Sequence, residues 1–88
     1  MTYLELQNLT RENSELANTL YICSFFDCNI NKMKTATITI VQNIFGKYIV
    51  TEWLDYEYGK YRTRKEFSNK DSAAAYAWNL LNNNQYWY

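Results

Sequence analysis

The chain opens on a helix signal. In Thr2-Tyr3-Leu4-Glu5 the Thr hydroxyl can take the Glu5 N–H while the Glu5 carboxylate reaches back to the Thr2 N–H, a reciprocal cap. Leu6, Leu9, Asn13, Leu16, Leu20 and Cys23 then come at spacings of 3, 4, 3, 4 and 3. That seam predicts helix over residues 2–27, with Asn13 at an a position. Thr10 or Ser14 offers a second helix start, so two shorter helices are the alternative.

Past Asn29-Ile30-Asn31-Lys32 the period changes to two. Thr35, Thr37 and Thr39 alternate with Ala36, Ile38 and Ile40, which predicts a strand over 34–43. Turns at Phe45-Gly46 and at Glu57-Tyr58-Gly59-Lys60 bound further strands over 47–54 and 61–67. Ser68-Asn69-Lys70-Asp71 reads as a second capping box, and Ala74, Ala77, Trp78 and Leu81 form one stripe of a helix over 69–82. The Asn82-Asn83-Asn84 run ends that helix, and an aromatic tail fills 85–88. The expectation is one α+β domain over 1–88, in the order α-β-β-β-α.

Composition narrows the chemistry. At 88 residues a domain buries about 60 % of the surface its unfolded chain exposes, so the core is small. Lys plus Arg and Asp plus Glu both number 9, which argues against a chain living wholly on phosphate contacts. Histidine is absent, and with it the commonest general base and metal ligand. Cys23 and Cys28 alone cannot supply a four-ligand zinc site, and they read as free thiols of a reducing cytoplasm. No G-x-S-x-G, Gly-rich phosphate loop or Cys–base pair occurs, so the expectation is a non-enzyme without metal or cofactor. No apolar run approaches a membrane span, and no secretory segment comes after Met1.

Three surfaces stand out. Lys60, Arg62, Arg64, Lys65 and Lys70 place five cations in eleven residues, offset by Glu66. Strand alternation puts Arg62 and Arg64 on one face, beside Thr51 and Trp53 of the neighbouring strand in a simple register. That face suits a nucleic-acid backbone, or cross-strand pairing with Glu52, Asp55 and Glu57. Aromatic residues are 18 % of the chain, and Trp53, Tyr56, Tyr58, Trp87 and Tyr88 exceed what so small a core absorbs. Surplus Tyr and Trp point either to a protein interface, with Trp53 the expected anchor, or to a tail that folds back over the sheet as extra core; Tyr48, Phe67 and Trp78 are the expected aromatic core. The seam Leu6, Leu9, Asn13, Leu16 and Leu20 is the candidate dimer contact, so the chain is either a monomer or a homodimer through the first helix.

Two resemblances bear on function. Gly46-Lys47-Tyr48, the basic strand Gly59-Lys60-Tyr61-Arg62-Thr63-Arg64, and Phe67, Lys70 and Ala73 at the next helix start resemble the arm-type DNA-binding domain of tyrosine integrases. That resemblance spans 34–81 and implies DNA reading from the sheet face through Arg62 and Arg64. A small, histidine-free, aromatic-rich chain of this element order also resembles phage or mobile-element inhibitors of host defence of the anti-CRISPR kind. That second resemblance implies a viral protein in the host cytoplasm, occluding a host protein or protein–nucleic-acid complex stoichiometrically. The leading expectation is therefore a protein-binding inhibitor. The alternative is a nucleic-acid-binding module. Lys60, Arg62, Arg64, Lys70 and the surplus aromatics are the contact residues in either case.

Overall fold

In the computed structural model, which describes residues 1–9, 15–16, 19–27, 31–55 and 57–83, the N-terminal cap forms as its residues dictate. Glu5 N–H donates to Thr2 Oγ1 and Thr2 N–H donates to a Glu5 carboxylate oxygen, both at 3.1 Å. Accepting the Thr2 backbone N–H holds the exposed Glu5 carboxyl below the usual glutamate range. The helix it starts is short: α1 spans Tyr3–Leu9.

The expected helix does not span 2–27. Glu15–Leu16 is a two-residue strand, β1, and Thr19–Asp27 is a nine-residue strand, β2. The 3-and-4 seam is a coincidence laid over a period-two pattern. Leu20 and Ile22, two residues apart, are both fully buried. On a helix they would point roughly 200° apart; on a strand they share a face. Thr19, Tyr21, Ile22, Phe25 and Phe26 are also strand-favouring types.

The remaining elements are β3 (Lys32–Gln42), β4 (Tyr48–Asp55), β5 (Lys60–Phe67) and α2 (Lys70–Leu81). All five strands form one antiparallel sheet in chain order, β1-β2-β3-β4-β5. The α+β class and the two flanking helices are as expected. The sheet has four long strands rather than three, because β2 replaces the second half of the expected helix.

Both helices lie on one side. Leu6 of α1, Leu20 and Ile22 of β2, Ala36, Ile38 and Ile40 of β3, Val50 of β4, and Ala73, Ala74, Ala77 and Leu81 of α2 make one buried core. Tyr48, Phe67 and Trp78 pack against it as partly buried rings. Three alanines facing the sheet let α2 approach it closely, while each buried Leu or Ile contributes about 1.5–3 kcal/mol. The N-cap of α2 is Asn69 rather than Ser68: its side-chain oxygen takes Asp71 N–H at 2.7 Å and Ser72 N–H at 3.2 Å. The Asp71 carboxylate is thereby left to accept Tyr3 N–H at 2.9 Å, which ties the starts of the two helices together.

Candidate functional site

The β3–β4 turn is built by one side chain. Asn43 Oδ1 accepts the N–H groups of both Phe45 and Lys47 at 2.9 Å. Its backbone N–H donates to Lys47 O at 2.8 Å, and its carbonyl accepts Gly46 N–H at 3.1 Å. Gly46 completes the turn at φ +78°, a conformation an L side chain resists. At the tip of this braced loop Ile44 is 93 % exposed and Phe45 80 % exposed. Neither is among the contact residues expected from the sequence. The available signal is two large apolar residues inside a turn, where polar residues are usual.

On the sheet face away from α1 and α2 the centre is covered: Thr39 and Thr51 are 3 % and 4 % exposed, Ile49 and Trp53 are half-buried, and Val41 is exposed at 37 %. Register places Val41 opposite Ile49, Thr39 opposite Thr51 opposite Arg64, and Thr37 opposite Trp53. Trp53 does share its face with Ile49 and Thr51, as expected, but it is half-buried and its indole Nε1 donates to Thr39 Oγ1 at 2.9 Å. The more exposed ring is Tyr61, which meets Trp53 edge-on at 6.3 Å between centroids and is 51 % exposed. Tyr61 too is absent from the expected contacts, because simple alternation assigns it to the core face.

The reason is a pair of register irregularities. Glu52 opposes Thr63 and Trp53 opposes Tyr61, so Arg62 is an extra residue on β5; Asp55 opposes Lys60, so Leu54 is an extra residue on β4. A bulge re-aims the side chains around it. Arg62 consequently does not line up with Arg64 beside Trp53. Its guanidinium lies 3.9 Å from the Glu52 carboxylate, which is buried at 3 % exposure and also accepts the Thr63 hydroxyl at 3.0 Å.

The expected basic cluster is therefore dispersed. Arg64 stays exposed opposite Thr51, and Lys60 sits opposite Asp55. Lys65 turns to the helix side, its Nζ 5.5 Å from the Phe67 ring and 5.1 Å from the Tyr76 ring. Lys70 opens α2, with Nζ 5.7 Å from the Tyr3 ring. Tyr58 is 76 % exposed in the β4–β5 turn, where its N–H donates to Asp55 Oδ1 at 3.3 Å. Tyr56, Trp87 and Tyr88 lie outside the described residues, as do Asn13 and Cys28.

The dimer seam is corrected outright. Leu6 and Leu20 are both fully buried in the core of a single chain, Leu9 is the last residue of α1, and Leu16 and Leu20 belong to strands. A heptad contact needs its residues on one continuous helix, and none runs through them. Among the described residues no helix is long and apolar enough to cross a membrane, and no three His, Cys, Asp or Glu side chains cluster to hold a metal ion. Comparison with known protein families, curated proteins and solved structures finds no match for the chain.

Proposed function

We propose that this chain is a non-enzymatic protein-binding module acting stoichiometrically, with the β3–β4 tip and the exposed side chains of Val41 and Tyr61 as its contact surface. The observation that carries the reading is the braced tip, with Ile44 93 % and Phe45 80 % exposed on a turn held by the Asn43 side chain. Aliphatic and aromatic side chains fixed in place before binding lose little entropy on docking, which is how a few anchors carry an interface. Val41, 37 % exposed, and Tyr61 extend apolar surface along the same sheet. The target class is the one the inhibitor resemblance implies, a host complex that processes nucleic acid.

The nucleic-acid alternative draws less support from this geometry. Arg62 leans on Glu52, Lys65 lies over aromatic rings on the helix side, and Arg64 lies apart from both, opposite Thr51. A phosphate backbone is gripped by cations that share a surface.

The test begins with capture of a partner from host lysate and its identification by mass spectrometry. Phe45→Ala and Tyr61→Ala are then measured against the purified partner, with circular dichroism confirming the fold. Each central anchor should cost about 2 kcal/mol or more of binding, whereas Leu4→Ala, on α1 across the sheet, should leave binding unchanged. Folded variants that bind like the wild type would reject this surface. A duplex or single strand bound at low salt, and released by Arg62→Ala with Arg64→Ala, would put the alternative ahead.

A further inference from the structure

We propose that the outer edge of β5 accepts an extended acidic segment of a protein partner as a sixth strand of the sheet. Among the described residues β5 is last in the sheet order and pairs only with β4. Beyond the Arg62 bulge it is regular. Thr63 to Phe67 pair one-for-one with Glu52 to Tyr48, so five consecutive residues have unbroken strand geometry. In such a stretch every second residue turns its N–H and C=O away from the neighbouring strand, and a peptide laid alongside can pair with them.

Charge selects the occupant. β5 carries Lys60, Arg62, Arg64 and Lys65 against Glu66. Lys60 and Arg62 already face β4 carboxylates, Asp55 directly opposite and Glu52 at 3.9 Å. Arg64 and Lys65 are opposed by Thr51 and Val50, which have no charge to offer. Both are exposed, and as sequence neighbours they point to opposite faces of the sheet. A nucleic-acid strand lying on one face meets only one of them. An added peptide strand also alternates its side chains, so two adjacent carboxylates meet both. A second copy of this chain paired through β5 brings one acid, Glu66, against four cations, so it matches the edge less well than an acidic segment does.

This inference shares with the protein-binding reading only the premise that the partner is a protein. It concerns the backbone edge of β5 rather than the β3–β4 tip, so its failure would leave the Phe45→Ala test intact. The probe is a short capped peptide with adjacent glutamates flanked by valine and threonine, titrated into the whole chain while backbone amide shifts are tracked by NMR. Shifts should concentrate at Thr63 to Phe67. Arg64→Glu with Lys65→Glu should weaken binding by about tenfold or more. Replacing the peptide glutamates by lysines should abolish it, a charge test that needs no variant to fold. The discriminating probe keeps the glutamates but carries N-methyl groups on alternate backbone nitrogens; strand addition requires that methylation in one of the two phases abolish binding. Equal binding by both methylated peptides would overturn the proposal. So would shifts centred away from β5, tighter binding of an oligothymidylate to the same residues, or concentration-dependent shifts along β5 without any peptide.

Discussion

Asn43 accepts two backbone N–H groups within a five-residue turn while Gly46 supplies the positive φ, so the presentation of Ile44 and Phe45 rests on one amide side chain. Asn43→Ala should lower stability by about 1–2 kcal/mol, the net worth of two such bonds, measured by urea unfolding. In a complex made through the tip it should also weaken binding without touching either anchor, because the loop must then be ordered on docking. Glu5 predicts a pH signature. Its folded pKa is depressed by the Thr2 N–H it accepts, so its contribution is complete above the ordinary glutamate range and is lost as pH falls through the folded value. The stability difference between wild type and Glu5→Gln should therefore be constant near neutral pH and shrink on acidification through that window. A difference that grows on acidification would contradict the cap.

At the scale of elements, the decisive substitution lies in β2. A helical seam would make Leu9 and Leu20 equivalent positions of one stripe. The fold makes them unlike: Leu20 is fully buried in the sheet core, whereas Leu9 is 42 % exposed at the end of α1. Leu20→Ala should cost about 2–5 kcal/mol and Leu9→Ala well under half of that, measured by chemical denaturation. The same contrast explains how the β4–β5 hairpin departs from simple alternation. One extra residue on β5 and one on β4 restore the overall count, yet between them Tyr61 moves beside Trp53 and Arg62 moves toward Glu52.

Over the described residues the molecule is an antiparallel sheet with both helices on one side. Its layer spacing depends on small side chains: Ala73, Ala74 and Ala77 of α2 are fully buried on the core side. Ala77→Leu should cost about 1–3 kcal/mol, because a packed interior resists added methylenes by forcing strained rotamers or lifting the helix. Thermal and urea unfolding would measure it, and an unchanged midpoint would mean that α2 stands off the sheet. With equal numbers of acids and bases, the chain has no net field to steer a polyanion. The arrangement of its cations therefore matters more than their number. β5 divides them between two faces and an edge, which favours a peptide contact over a phosphate one.

Local chemistry alone determined a good part of this protein. The Thr2–Glu5 cap, the strands around Ile38, Val50 and Phe67, both glycine turns and the alanine stripe of α2 depend on contacts within a few residues, and their signals stand in the order of the side chains. The strand identity of β2 was decided by tertiary structure. Leu16, Leu20 and Cys23 satisfy a helical period, whereas Leu20 and Ile22 satisfy a strand period, and only the availability of β3 as a pairing partner chose between them. The same holds for the candidate surface. Exposure of Ile44 and Phe45, the half-burial of Trp53 and the separation of Arg62 from Arg64 arise from a turn geometry and two compensating register shifts. A bulge changes which face a residue occupies while leaving composition and local propensity untouched, so alternation read along one strand cannot report it.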